Sequence, residues 1–532
     1  MKHLIIAVIL TYFLFLETYS QQKAHIQYTD TPIIVWKKVF KSGYNFSDSK
    51  VIRDKFNNLV VSGLHQNGIV TIEYSSEGNK LWDGFISGAN GNICSAVDDS
   101  GNVFIFTSVN LNKFMLIKYN PNGIILWSKE FNDLQFIHCT PSAISLGRSG
   151  DVYVTGTAWI ISPPDSPKTR EGYITLKYDR SGTIKWHNVY NGSRDSADIA
   201  TALCIDGDGN VHVTGYGYDN ADKYEYSTIK YDTSGSPQWI AHHSQSGSKD
   251  NIAEDIVFSS TGLIYVSGRT ALICYSANGN ELWVEPISVL DTKVILDRTN
   301  NIIVIGSVID STSYNYIMYG IKKYDSQGGK QWSHVFDGPL ESNMKSDIVV
   351  DRKNNIYAVG TASVSTLFPS LRNPVIVKYD SAGNKKWFIR EKDFGTSHSF
   401  VLDSNDDIYI SYFTQDSLVT IKYQQIITQV DDNNHIVKSF GLFQNYPNPF
   451  NPTTTISFGI PVASFVSIKI FDMLGREVSI LVNEQKESGY YEYKWNAGYL
   501  SSGIYFCQMT AVSLSVEKKE TFNQTKKLLL SK

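Results

Sequence analysis

At 532 residues the chain is long enough for two or three domains, and 48 basic against 52 acidic side chains leave a formal charge of −4 with no long run of either sign. That balance gives no electrostatic ground for a nucleic acid or an anionic membrane surface as partner. Aromatic residues make up 13%, including 32 tyrosines, against only 15 prolines, a composition suited to pleated, half-buried strands.

Lys2 and His3 precede an apolar run from Leu4 to Leu16, and Thr18 and Ser20 place small residues at −3 and −1 of a cut before Gln21. Residues 1–20 therefore read as a signal peptide. The run is too short for a comfortable membrane span, and no transmembrane segment is expected. Five cysteines, Cys94, Cys139, Cys204, Cys274 and Cys507, form no C-x-x-C pair and sit in apolar, strand-like contexts. They read as small core residues.

From Ile33 a strand carrying Trp36 leads into a unit that recurs. An acidic residue and a tight turn open onto an alternating run, as in DGDGNVHVTG from Asp206 to Gly215 and DRKNNIYAVG from Asp351 to Gly360. The Gly-Asn or Asn-Asn pair supplies the positive φ of a hairpin turn, and the residues after it alternate with the period of two of a strand. A second motif, Tyr-x3-Gly-x3-Trp, occurs in seven copies, from Tyr74, Gly78 and Trp82 to Tyr379, Gly383 and Trp387, with tryptophans 44 to 59 residues apart. Four short strands per unit, a to d, describe the blade of a β-propeller.

Strands a, b and c each occur eight times if the last c strand ends at Tyr423, and strand d occurs eight times only with Trp36 included. The fold expected over residues 31–424 is therefore all-β and eight-bladed, with seven blades as runner-up, closed by the N-terminal d strand. An unpaired pair of ends would leave strand edges open to aggregation. The tight a–b and c–d turns share one face; the b–c and d–a connections share the other and vary in length. Variable connections on a rigid scaffold are the place to look for a binding site.

Residues 425–440 carry no repeat and read as a linker. Residues 441–532 alternate short strands with turns at Leu474-Gly475, Ser488-Gly489 and Ser502-Gly503, which fits a small Ig-like β-sandwich.

This C-terminal segment resembles the type A sorting domain of type IX secretion, through NYPNPFNPTTTI (Asn445 to Ile456), FDMLGREV (Phe471 to Val478), Trp495, LSSGIYF (Leu500 to Phe506) and TKKLLLSK (Thr525 to Lys532). The resemblance implies export across the inner membrane by the signal peptide, then handling by the type IX machinery, leaving the protein secreted or at the cell surface. The sorting signal would draw on Asn445, Pro447, Pro449, Asn451, Pro452, Gly475, Gly503, Lys526 and Lys527. The repeats resemble the bacterial SBBP-type propeller repeat, DxxGNVYVTG…KYDxxGxxxW, departing from it at Gly147 and Ser259, where most units have aspartate. Propellers host binding, structural and catalytic roles alike, so this second resemblance implies a fold and no activity.

The Asp206-Asp208-Asn210 spacing suits a calcium loop, but position twelve is Gly217 rather than a bidentate glutamate, so a hairpin turn is the better reading. His242 and His243 are adjacent on a strand and point to opposite faces. Neither HExxH, G-x-S-x-G nor a Walker-type loop is present, and no catalytic residue, metal or cofactor is assigned. Asp198, Asp255 and Asp347 enter strand a near the expected channel mouth and could form a carboxylate cluster. Aromatics outside the repeat frame, Trp159, Tyr216, Tyr218, Tyr224, Tyr314, Tyr316 and Phe368, fall in or beside the long b–c connections, and are the candidate ligand contacts. The function expected is a monomeric, non-enzymatic module for binding or adhesion to a glycan or protein. The alternatives are a secreted polysaccharide hydrolase or lyase with carboxylates at the channel mouth, and a structural surface component.

Overall fold

The computed structural model describes residues 31–531 apart from 111–112, 132, 134, 162–169, 193–196, 220–222, 310–316, 337–346, 364–371, 426–429, 432–433, 436–439 and 515–520. Residues 1–20 lie outside the described residues, as do Tyr314, Tyr316 and Phe368. Among the described residues every regular element is a strand. Two compact units result, Pro32–Gln425 and one that holds Ile426–Lys532.

In the larger unit the first sheet runs Phe46–Arg53, Leu59–His65, Gly68–Tyr74, Lys80–Ser87, each strand antiparallel to the next. Six further sheets repeat this a-b-c-d order along the chain. The last combines Thr396–Leu402, Ile408–Phe413 and Ser417–Gln424 with Ile33–Lys41 from the other end of the chain. All-β structure built from four-stranded antiparallel sheets in series fits a β-propeller.

The register explains why Ile33–Lys41 belongs there. In the other sheets the tryptophan of strand d faces the residue before the motif tyrosine, with a bulge after it, as at Lys230 and Trp239. Trp36 faces Lys422 in the same way, with its own bulge between Ile34 and Trp36. A strand without a covalent turn has taken the register that the turn imposes elsewhere.

Strands b and c are buried on both sides where a sheet packs between two others; Leu272, Ile273 and Cys274, for example, are wholly buried. The apolar core lies between successive sheets, and one such cluster joins Phe46, Val51 and Tyr74 of the first sheet to Tyr409 and Leu418 of the last.

Two contacts recur on the tight-turn side, the first between sheets and the second within each sheet. First, each turn glycine lies under the preceding sheet's tryptophan. A Cβ on Gly279 would come within 2.5 Å of the Trp239 ring, and one on Gly235 within 2.7 Å of Trp186. Both glycines also have φ near +80 to +90°, which favours glycine on its own account. In several seams the indole N–H also donates to a carbonyl of that next turn, Trp239 to Ala277 at 3.0 Å and Trp186 to Thr233 at 3.1 Å, whereas Trp82 donates to Glu73 of its own sheet.

Second, the turn aspartate organises its own hairpin. Asp206 Oδ1 accepts the N–H groups of Asp208 (3.0 Å) and Asn210 (2.8 Å), and Oδ2 accepts the Asn210 amide. A lysine from strand c completes it: Lys230 to Asp206 at 3.4 Å, Lys323 to Asp297 at 2.9 Å, Lys422 to Asp403 at 3.5 Å. In the fifth sheet Ser259 and Cys274 replace both partners. In the third Gly147 removes the aspartate and Lys177 turns to Asp151 at 3.2 Å.

The smaller unit holds a short pairing of Val430–Asp431 with Asn434–His435 and two packed sheets. One orders Gly441–Leu442, Thr453–Ile460 and Gly489–Asn496; the other orders Glu477–Lys486, Ser464–Phe471, Gly503–Ser513 and Thr521–Leu530. Ile456, Phe458, Val466, Ile468, Trp495, Met509 and Leu528 form its core.

Candidate functional site

Strands b and c of the third and fourth sheets continue outward past the core, so the candidate aromatics stand on paired strands rather than in loose connections. Val152–Ile160 pairs with Arg170–Tyr178, and Val211–Tyr218 with Tyr224–Tyr231. The reason is local: alternation and backbone pairing both persist beyond Gly156 and Gly215, so the hairpins extend until 161–169 and 219–223.

Trp159 faces Glu171 across the first hairpin, and its indole N–H donates to the Glu171 carboxylate. His138 lies against the same indole, ring centres 4.7 Å apart, and Trp159 keeps 37% of its surface exposed. On the second hairpin Tyr216, Tyr218 and Tyr224 form one cluster. Tyr224 stands edge-on to Tyr216 at 5.1 Å and tilted on Tyr218 at 4.5 Å, and the Tyr218 hydroxyl donates to that of Tyr224 at 2.9 Å. That bond, followed by burial, pushes the Tyr224 phenol up to about 12. All three are half-buried, so part of each ring packs the hairpin and part meets solvent.

Charged groups border the cluster. Tyr216 lies in the field of Glu171, Arg269 and Glu254, and Arg269 pairs with Glu254 at 3.0 Å. Composition and motif reading miss His138, Glu171, Glu254 and Arg269. No spacing in the sequence points to them, because none tells how far past the core the paired strands run.

Of the three aspartates expected at the channel mouth, Asp255 and Asp347 share Lys293 and lie in each other's field, whereas Asp198 stands apart from both. Asp198 is buried beside Gly192, whose N–H donates to it at 2.7 Å; burial, with Glu225 as a further like charge, raises it to about 6. Asp255 is also raised to about 6, by burial, against the pull of Lys293. Its Oδ2 accepts the Val294 N–H of the next sheet at 2.9 Å. Asp347 pairs with Lys293 and accepts the Phe400 N–H, again on the next sheet, at 3.4 Å. Asp255 and Asp347 thus tie neighbouring a strands. A cavity of about 380 Å³ between several a strands is nonetheless lined by Asp48, Glu254, Asp255 and Asp291 together with Lys50 and Lys293. Among the described residues no group of three histidine, cysteine or acidic side chains is placed to hold a metal ion.

In the smaller unit the proline-rich motif lies along the terminal strand. Asn445 is buried and donates to the Pro447 carbonyl (3.0 Å) and to Thr454 (2.9 Å). Asn448 donates to the Lys527 carbonyl at 3.2 Å and accepts the Leu529 N–H at 2.7 Å, while Phe450 exchanges backbone bonds with Leu529 and Ser531. Pro449, Asn451 and Pro452 continue this segment into Thr453–Ile460. Lys527 is exposed and Lys526 half-buried on that terminal strand, whereas Gly475 sits in a turn and Gly503 opens the strand Gly503–Ser513.

Residues 444–522 match the family model of the secretion system C-terminal sorting domain. No curated protein matches the chain. Among solved structures, the chain is similar to a lectin from Burkholderia pseudomallei (10% identity, TM-score 0.42, 65% of this chain and 99% of that one). It is also similar to the WD40 domain of SCAP from fission yeast (8% identity, TM-score 0.43, 74% and 98%). A polysaccharide lyase, an ulvan lyase, gives 12% identity and a TM-score of 0.39 over 72% and 95%. Likeness at this level does not bear on activity. The sorting domain does bear on location: it indicates export, to the cell surface or the medium.

Proposed function

We propose that the chain is an eight-bladed β-propeller, exported through type IX secretion, that binds a glycan or protein through the side bearing its long connections. Closure rests on Ile33–Lys41, which takes the same register and bulge against Ser417–Gln424 that covalent d strands take. It is supported also by the packing of Thr396–Leu402 against Phe46–Arg53. The resemblance to SBBP-type repeats and the N-terminal apolar run accord with a secreted propeller.

The observation that carries the binding role is the juxtaposition of Trp159 and Glu171 with the Tyr216, Tyr218 and Tyr224 cluster on two adjacent hairpins. Stiff aromatic rings flanked by charges are the usual anchors of an interface. The test is a glycan and protein array probed with the full chain, followed by affinity measurements on Trp159→Ala and Tyr218→Ala. Each substitution is expected to weaken binding about tenfold. Unchanged affinity in both would remove the site from this position.

A second reading, a polysaccharide hydrolase or lyase, is favoured by the acid-lined cavity among the a strands. Turnover of a polysaccharide panel that disappears in Asp48→Asn and Asp291→Asn would support it over binding alone.

A further inference from the structure

A separate cleft of about 900 Å³ opens between the last sheet and the first, on the side of the variable connections, lined by Tyr44, His65, Gln66, Asn67, Asp83 and Phe85 among others. Its centre is a parallel stack of three rings. His65 lies against Tyr44 (ring centres 5.5 Å apart, planes 15° apart) and against Phe85 (5.5 Å, 8°). The imidazole itself is buried. Phe46 meets its edge at 90°, and the Asn67 N–H donates to its Nδ1 at 3.2 Å. The Ser42 hydroxyl accepts the Tyr44 N–H at 3.0 Å and donates to the Tyr44 carbonyl at 2.8 Å, so the tyrosine backbone is also fixed.

The outer members of this stack are nevertheless wet: Tyr44 is 42% exposed and Phe85 52%. Leaving two rings half in water forgoes hydrophobic stabilisation that the packed interior would give. A stack held rigid from behind and exposed in front is ready to receive an apolar face with little loss of side-chain freedom. Beside it, the exposed side-chain amides of Gln66 and Asn67 have no partner among the described residues, and each offers donors and an acceptor. The cleft carries no net charge to select an ion. Lys41 and Asp83 oppose one another in sign, Asp83 is paired with Lys80 at 2.6 Å, and burial lowers the His65 pKa, which favours the neutral imidazole. Its volume lies within the usual span of small-molecule sites, about 300–1,000 Å³.

An apolar ring platform beside uncharged amide donors and acceptors suits one ligand class, a saturated ring with an apolar C–H face and a hydroxylated rim. We propose that this cleft binds neutral hexopyranose or pentopyranose units of an oligosaccharide, stacked on Tyr44 and Phe85 and hydrogen-bonded by Gln66 and Asn67. The site is distinct from that at Trp159, and the two can fail separately.

The experiment is calorimetric titration of the full chain with neutral gluco-, manno- and xylo-hexaoses and with an oligogalacturonate as the charged control. At least one neutral oligosaccharide should bind and the oligogalacturonate should not. Tyr44→Ala and Phe85→Ala should each weaken that binding about tenfold and Phe85→Tyr should restore it, with Trp159→Ala titrated alongside them. Thermal melts of the four variants check that each folds. The proposal is overturned if no neutral oligosaccharide binds at millimolar concentration, if only the acidic one does, or if both alanine variants bind like the parent. Loss in Trp159→Ala alone overturns it too, by assigning the sugar to the other site.

Discussion

On the tight-turn side of the sheets a few contacts are written over and over: a glycine under a neighbour's indole, an aspartate that bonds its own turn, a lysine that reaches it. On the side of the long connections the described residues differ from sheet to sheet. The third offers Trp159 on Glu171, the fourth a tyrosine cluster, the fifth a connection of two residues between Gly268 and Ala271, and the first a stack of Tyr44, His65 and Phe85. Repetition marks what every sheet needs in order to pack against the next. Function belongs to residues that need occur only once.

The strongest test of the repeated side compares two turn glycines. Gly279 and Gly262 both have φ near +80 to +90°, but a Cβ on Gly279 would strike the Trp239 ring at 2.5 Å, while nothing lies within 4 Å of one on Gly262. Gly262→Ala should cost only the left-handed penalty, about 1 kcal/mol. Gly279→Ala should cost about 3–4 kcal/mol, since the indole must move out of a packed seam. Urea denaturation of both variants measures the difference, and equal losses would show that the indole contact contributes little.

The buried ion pair is the next contrast. Asp297 and Lys323 are 0% and 4% exposed at their side chains, 2.9 Å apart. Burial alone would raise Asp297, but bonds from Asn301, Lys323 and Thr299 outweigh it and hold the carboxyl at about 2. Lys323→Met strands that charge and should cost about 3 kcal/mol. The double variant Asp297→Ser with Lys323→Cys copies the fifth sheet's own pair, Ser259 and Cys274, and should recover most of the loss. Because the folded pKa lies below the ordinary 3.8, this aspartate's contribution is present above pH 4 and lost as pH falls towards 2. A double variant no better than Lys323→Met would break the equivalence between sheets.

The same contrast sets how much of the molecule the sequence discloses. The four-stranded, all-β units are legible, because Tyr-x3-Gly-x3-Trp fixes a hairpin whose glycine meets the tryptophan of the preceding copy and whose tryptophan meets the glycine of the next. That Trp36 should play the part of a strand d tryptophan is legible too, from counting strands. The long-connection side is not. Trp159 meets Glu171 only because both strands run on past the core, and a pattern search cannot measure how far they run. Tyr44, His65 and Phe85 come from a d–a connection, the end of a strand b and the middle of a strand d, and no spacing links them. Asp198, Asp255 and Asp347 look alike in sequence, yet the structure uses Asp255 and Asp347 to cap neighbouring a strands and holds Asp198 elsewhere with the Gly192 N–H. Strand position alone does not say whether a carboxylate faces a cavity or a backbone N–H.

One residue breaks the repeated pattern from within, and it gives the smallest of the expected effects. Where six sheets place lysine before the motif tyrosine, the first places Glu73, wholly buried and within the field of Asp54. Burial is the main cause that raises its carboxyl from 4.5 to about 7; the Trp82 indole N–H, donating to it, pulls the other way, and Asp54 adds to the rise. A folded pKa above the unfolded one means that the stabilising contribution is complete below about pH 4.5 and is lost as pH climbs through 7. Glu73→Gln keeps an acceptor for Trp82 and cannot ionise. It should therefore match the parent at pH 4.5 and exceed it by about 2 kcal/mol at pH 8.5, read from urea midpoints at the two pH values. If the parent and Glu73→Gln lose stability in parallel between those pH values, the like charge at this turn is relieved by some other movement. The lysine of the other sheets would then owe its place to packing over the neighbouring ring, as Lys118 lies 4.9 Å from the Phe104 ring centre, more than to its charge.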